Sequence, residues 1–551
     1  MGITIEYSGG TTAESTVLDT AVSGRAGALR QAGTRLAPHG VTIAFGLVVV
    51  ASAGYFVRIT RASWFYADEW AMAVQVARVQ DIVDPYNGHL SITILGLYRV
   101  LLEVFGFTTH LPYRIAGIVS LVAVPVAMFL VARRRVGAPA AAIMGLLLLW
   151  FRGISLEPGA LNHSLSLLGA VVCGYALVGR GRRDDALVAA SLAFALASSG
   201  GGVAVVVAAV VHSLCARATL TRWLAVLLPT GAWLVWWLVF VPPDSEAVQA
   251  LRPGVLDLAE DAVRHAAASF KYLALGNRVA GGVLLVMFIA HAGWRVRRGL
   301  AAAANVLAWS AALLFWWFGL VWSRWLLIEA TPGFRYQWVS AGYVLLAVLP
   351  AGHGTLPRWA SASTRRGALL GSAGVLLVAA ALTHSVRPDV RDFARTHAAY
   401  GRINRGQAAV AAEPNAGLSD DVTFGFNLGR LTAGQLRQLL DNYGGVGDPG
   451  ETDELLVDIG AVRLVNGRPD PPPPGCEALR QPIPAPPDSR VELHAPTGTA
   501  EVSVRRFGSD WVSVGRLQEG RRATLELPGL TSGQQWELNG STDVCVSVVP
   551  G

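Results

Sequence analysis

The residues of this chain best suited to chemistry crowd into one stretch, Trp64-Phe65-Tyr66-Ala67-Asp68-Glu69-Trp70, followed by Asp81, Asp84 and Tyr86-Asn87-Gly88-His89. An adjacent acid pair among aromatic rings supports two readings. Partial burial tunes the proton affinity of a carboxylate, so that it can take a proton from a hydroxyl. The same pair is also favoured at a helix start, where the helix dipole attracts negative charge. Asn87-Gly88 has the chemistry of a turn, and the histidine after it either orients a bound molecule or lies at the surface. The other signatures are absent from the sequence: it has no P-loop spacing, no Cys-x-x-Cys pair and no His-Glu-x-x-His helix.

The elements that must position these residues belong to a membrane. Of 551 residues, 52% are hydrophobic and only 15% are charged, against about 25% charged in a soluble globular chain. That excludes a simple cytosolic enzyme. The formal charge of +7 comes almost wholly from arginines, Lys271 being the only lysine. They fall in short clusters beside apolar runs, which signals membrane topology and not a nucleic-acid surface. The richness in Ala, Gly, Val and Arg also resembles proteins of high-GC bacteria such as actinobacteria.

Eleven runs are long enough, or nearly so, to cross about 30 Å of hydrocarbon: 41–58, 112–132, 137–151, 164–179, 185–197, 203–216, 222–242, 273–293, 300–321, 337–352 and 367–384. Arg133-Arg134-Arg135, Arg180 with Arg182-Arg183, Arg217 with Arg222, Arg295 with Arg297-Arg298, and Arg358 with Arg365-Arg366 mark every second connection. Cytoplasmic loops are the arginine-rich ones, so the N-terminus is expected inside and the C-terminus outside. Residues 90–107 are apolar but carry Arg99 and Glu103 at i,i+4, and are expected as an interfacial helix. Ser198-Ser199-Gly200-Gly201-Gly202 splits 185–216 into two short helices, glycine being suited to a tight turn or close approach. Trp233, Trp236, Trp237, Trp316, Trp317, Trp322, Trp325 and Trp338 cluster at the expected outer ends, as interfacial anchors do. No Asp or Glu lies near the middle of an expected span, and His212 and His291 lie close to cytoplasmic ends. Ion-coupled transport usually needs such a midplane group, so this counts against that class.

The expected organisation is a cytoplasmic tail over 1–40, a transmembrane domain over 41–384, an exterior helical region over 385–475 and a small β-sandwich over 476–551. The fold class is mainly α, a polytopic helix bundle with an exterior α+β region. The proline run Pro471 to Pro474 precedes short alternating segments such as Ala500 to Val504 and Ala523 to Leu527, the pattern of antiparallel strands. Cys476 and Cys545 bracket that part; an exterior location favours a disulfide between them.

The run Trp64 to Trp70, Asn87-Gly88-His89, the motif His110-Leu111-Pro112-Tyr113-Arg114 at the second span and Phe334-Arg335-Tyr336 before the tenth are similar to elements of one family. With an N-terminal anchor, a long first exterior loop opening on an acid pair and a soluble exterior C-terminus, they resemble the GT-C superfamily of integral-membrane glycosyltransferases. The resemblance implies sugar transfer from a polyprenyl-phosphate carrier to a cell-wall polysaccharide or lipoglycan on the outer face of the plasma membrane, with inversion at the anomeric carbon. It implies Asp68 as the base, with Glu69 as helper or alternative, and Asn87 and His89 as residues that orient donor or acceptor. Arg335, with Tyr336, is the first candidate for the lipid phosphate, since guanidinium offers it a bidentate fork; Arg324 and Lys271 are further candidates. Glu157, Asn162 and His163 are placed to line the same cavity, with Ser198 to Gly202 as its floor. A divalent cation is compatible with the resemblance, since some members use one and others do not. The terminal β-region looks like the carbohydrate-binding modules of actinobacterial arabinosyltransferases, with Trp511 or Trp536 as a sugar-stacking ring, which favours arabinofuranose over mannose. Two rival classes remain, a flippase or transporter for lipid-linked sugar and a non-catalytic envelope scaffold. An enzyme should bring Asp68 and Arg335 together, whereas a transporter should show an internal repeat and a path to the cytoplasm.

Overall fold

The computed structural model describes residues 39–77, 82–86, 88–152, 156, 161–242, 253–328, 334–350, 365–412, 420, 431–445, 463–469, 471–472, 477–478, 483–485, 490–505, 512–527, 536–540 and 544–549. In chain order the helices of the first half are α1 (Gly40–Ile59), α2 (Asp68–Val76), α3 (Ile92–Phe105), α4 (Leu111–Val136), α5 (Ala138–Leu149), α6 (Leu161–Ala176), α7 (Arg182–Ser198) and α8 (Gly201–Cys215). They are followed by α9 (Leu220–Phe240), α10 (Val255–Leu273), α11 (Arg278–Arg297), α12 (Leu300–Ile328), α13 (Phe334–Val348), α14 (Arg365–Ala412) and α15 (Ala433–Tyr443).

Six of the described helices are long and apolar enough to cross a membrane: α1, α4, α9, α11, and the stretches Leu300–Ser323 of α12 and Leu369–Ala398 of α14. The other five expected spans are the shorter helices α5, α6, α7, α8 and α13, of 12 to 17 residues. At 1.5 Å per residue, 17 residues reach about 26 Å, short of the hydrocarbon thickness. The chain breaks where its residues direct it to. Gly137, at φ 87°, separates α4 from α5. Ser199 is fully extended between α7 and α8, which therefore form a hairpin and not one long helix. Gly202 makes that hairpin close: a Cβ there would lie 2.5 Å from the Ala195 backbone.

The helices share a polarity. At one end, Arg135 donates to the carbonyls of Gly174 and Tyr175 at 2.9 and 3.3 Å. Arg222 donates to Leu177 and Gly179 at 3.0 and 2.8 Å and pairs with Asp185 at 2.5 Å. These arginines satisfy carbonyls left open at the end of α6, where the helix dipole favours cations. At the opposite end of α4, α6 and α7 lie His110, His163 and Ser198.

Among the described helices, α2, α3, α10 and α15 lie outside this set of spans. In α3, Ile94, Leu95, Tyr98, Leu101 and Leu102 are buried while Val100 and Val104 are exposed, and Arg99 pairs with Glu103 one turn on. Between the expected spans 222–242 and 273–293, α10 buries Leu258, Ala262, Ala266, Ser269, Phe270 and Leu273. That three-to-four spacing makes an amphipathic helix, with too many charges for a span and too regular an apolar face for a loop.

Beyond the membrane helices, α14 runs unbroken for 48 residues through position 384, where the composition changes. The terminal region is a sandwich of two antiparallel sheets, ordered β1-β7-β4-β9-β2 and β3-β8-β5-β6. Its strands are β1 (Arg463–Pro469), β2 (Glu477–Ala478), β3 (Ile483–Ala485), β4 (Arg490–His494), β5 (Ala500–Arg505), β6 (Val512–Leu517), β7 (Arg521–Glu526), β8 (Trp536–Gly540) and β9 (Cys545–Val549). Val491, Leu493 and Leu525 of one sheet and Val502, Val504 and Leu538 of the other are buried, the alternation expected of two inner faces. The sheet begins earlier than residue 476, because β1 pairs with β7 in register Leu464 to Leu525. Cys545 is disulfide-bonded, whereas Cys173 and Cys215 are free thiols. Its expected partner, Cys476, lies outside the described residues. Strand β2, which starts one residue later, pairs Glu477 with Val546.

Candidate active site

The first loop is held from both flanks. Thr60 Oγ1 donates to the Phe56 carbonyl at 2.8 Å and Ser63 Oγ to the Thr60 carbonyl at 2.7 Å, which turns the chain off α1. From α14, Asn404 Nδ2 donates to the Phe65 carbonyl at 2.8 Å. Gly401 lets that helix approach so closely that a Cβ there would lie 2.8 Å from the Trp64 nitrogen. Tyr66 packs on His397 and Tyr400, with ring centroids 5.0 and 5.3 Å away. Ala67 then takes a φ of 41°, a conformation side chains disfavour, and α2 starts at Asp68.

The two acids receive different surroundings. Glu69 is buried, its side chain 3% exposed. Its Oε1 accepts from Tyr98 Oη at 2.9 Å and lies 2.9 Å from His110 Nε2, while Oε2 accepts from the Tyr66 amide at 3.3 Å. His110 Nδ1 lies 3.1 Å from the Ser63 carbonyl; a carbonyl only accepts, so that nitrogen carries the hydrogen. Burial first, and then the charge of Glu69, push the Tyr98 hydroxyl well above its ordinary range, so it stays a donor. Phe65, Trp70 and Phe107 pack around this cluster.

Asp68 is one-third open, 32% exposed, and its Oδ2 stands 3.6 Å from Nη1 of Arg335, itself 29% exposed. The two lie 267 positions apart in the chain and are brought to one surface by α2 and α13. Arg335 also lies over the Tyr336 ring, 5.2 Å from its centroid, with Nη2 3.4 Å from the phenol oxygen. Around them the contacts close into a ring. Tyr336 packs edge-on to His163 at 5.4 Å, and Trp316 Nε1 donates to the Tyr336 carbonyl at 3.3 Å. Trp316 lies against Gly201, and Gly200 against the imidazole of His89; a Cβ on either glycine would be 3.2 and 2.7 Å from those rings. His89 and Tyr86 exchange backbone hydrogen bonds at 3.0 Å across Gly88, at φ 76°. Tyr86 Oη returns to the carbonyl of Asp68 at 3.0 Å.

Of the candidates named from sequence, the structure thus gathers Asp68, Arg335, Tyr336, His163 and His89 with the Ser198 to Gly202 break. Asn162 uses its Oδ1 to accept from the His163 amide at 2.8 Å. Lys271 places its ammonium 5.5 Å over the ring of Tyr272, on a helix joined to α13 by Ser269 Oγ, which donates to Gln337 Oε1 at 2.9 Å. Asp81, Asn87, Glu157 and Trp511 lie outside the described residues, as do the side chains of Arg324 and Trp536. Among the described residues no three His, Cys, Asp or Glu side chains are grouped to hold a metal ion. Sequence reasoning missed Trp316, Tyr98 and Asn404 as members of the site and assigned His110 no partner; the only signal was a histidine and a Pro-Tyr pair at the mouth of an apolar span.

No protein-family model matches the chain, and no curated protein matches it. Among solved structures it is similar to ArnT from Cupriavidus metallidurans bound to undecaprenyl phosphate, with 17% identity and a TM-score of 0.44 over 76% of this chain and 88% of that one. At that level the likeness is a loose one.

Proposed function

We propose that this chain is a membrane glycosyltransferase that moves a sugar from a polyprenyl-phosphate donor to a cell-envelope glycan. The observation that carries the reading is the Asp68–Arg335 pair, an acid and a guanidinium 3.6 Å apart and both partly open. In the reaction the acceptor hydroxyl attacks the anomeric carbon and its proton passes to Asp68. The bond from that carbon to the phosphate oxygen breaks with its electron pair, and Arg335 meets the charge that develops on the leaving phosphate. One-step displacement inverts the anomeric centre. Tyr336 holds the guanidinium in place, and His163, Trp316 and His89 form the wall around it. Glu69 serves as a positioning residue, since its oxygens are occupied by Tyr98, His110 and the Tyr66 amide. The exterior face, the arabinofuranosyl donor and a glycan-holding role for the terminal sandwich follow from the sequence resemblance and belong to the same proposal.

The test separates base from phosphate ligand on purified protein. Asp68→Asn keeps the shape but not the proton-accepting capacity, and should bind polyprenyl-phosphate donor normally while turnover falls about 10²- to 10⁴-fold. Arg335→Ala should weaken donor binding. Normal turnover by Asp68→Asn with an inactive, folded Glu69→Gln moves the base by one residue; normal turnover by the double variant rejects the first loop as the reaction centre.

A further inference from the structure

Arg387, Arg391 and Arg395 recur every four residues on α14 and so share one helix face. That face packs on α1. Arg387 lies 5.9 Å from the ring centroid of Tyr55, while Arg391 and Arg395 meet Arg58 and Arg61 around a cavity of about 300 Å³ whose apolar side is formed by Ile59 and Ala398. Neither Asp68 nor Arg335 lines it. Among the described residues none of these four guanidinium groups is ion-paired, and Asp389, on the same stretch of α14, is taken by Arg152 at 2.9 Å. Four like charges around one hollow repel each other unless an anion lies between them, and arginine forks match phosphate oxygens in pairs. The cavity lies at the C-terminal end of α1 and of the apolar stretch Leu369–Ala398 of α14, helices whose apolar flanks are exposed at Val50 and Leu377.

We propose that this cavity binds the phosphate headgroup of a membrane lipid. Its four arginines would hold the phosphate oxygens while the acyl chains lie along the exposed apolar flanks of α1 and α14. The proposal is independent of the transfer reaction, since it uses no residue of the Asp68–Arg335 site.

The experiment measures binding of phosphatidic acid to the purified full-length protein in neutral detergent. The wild type should bind it saturably and much more tightly than inorganic phosphate. Each arginine near an anionic headgroup contributes about fivefold in affinity, so the double variant Arg391→Gln with Arg395→Gln should bind about 25-fold more weakly. Ala398→Phe, which fills the hollow and leaves every charge in place, should also weaken binding. Undiminished binding by the double arginine variant overturns the proposal, and so does loss in that variant with none in Ala398→Phe, which would mean diffuse attraction. Inorganic phosphate binding as tightly as the lipid would assign the cavity to a soluble phosphate and overturn the lipid source.

Discussion

The two sides of α2 occupy different media although their acids are neighbours in sequence. On one side Asp68 meets Arg335 at a partly open surface, 32% and 29% exposed. On the other, Glu69 and His110 are each 3% exposed and tied to Tyr98, Ser63 and Tyr66. Exposed ion pairs contribute little to stability, whereas breaking a buried one leaves an uncompensated polar group. The open side is therefore free to exchange partners during a reaction, and the closed side fixes the backbone that presents it. An acid pair reads as a single feature in the sequence; in the fold it is one group held available and one group built in.

That division can be broken from the closed side first. Glu69→Ala strands the Tyr98 hydroxyl and Nε2 of His110 without their buried hydrogen-bond partner, and each of the two losses should lower local stability by about 1 to 3 kcal/mol. Hydrogen exchange across α2 should then be more than about a hundredfold faster, whereas Asp68→Ala should leave it within about threefold of wild type. Equal acceleration by both variants would abolish the distinction. A smaller effect is expected where α14 braces the loop: Asn404→Ala removes the donor to the Phe65 carbonyl and should reduce protection of Phe65 and Tyr66 by about 1 to 3 kcal/mol. The smallest belongs to Ala67, whose φ of 41° suits glycine. Ala67→Gly relieves that strain but adds chain freedom, so the net change should stay within about 1 kcal/mol, with turnover retained.

Local features of this fold were legible in the sequence and distant pairings were not. The Ser198 to Gly202 break and the Arg99–Glu103 pair could be read because each depends on residues within a turn or two of one another. The acid pair at a helix start was equally local, but nothing nearby distinguishes Asp68 from Glu69. That difference is made by His110, 41 positions away, and by Arg335. Arg335 was reached through a family motif, not through any property of its neighbours. The amphipathic α10 was missed because its charges interrupt a hydropathy pattern, and α14 was divided at 384 because composition changes there while helical geometry does not.

That continuity of α14 has a mechanical consequence. Pro388 is the one position inside the helix where a backbone hydrogen bond must be missing, and from there to Ala412 the rod extends for roughly 36 Å. A hinge of one degree at the proline therefore swings the far end by roughly 0.6 Å, by simple leverage on that length. Asn404, about two-thirds of the way along, carries the Phe65 carbonyl with it. The stretch from Pro388 to Ala412 thus acts as a pointer whose pivot lies within the apolar stretch Leu369–Ala398 and whose shaft is fastened to the loop that presents Asp68. Small angular changes in the membrane would register there as displacements of ångström scale.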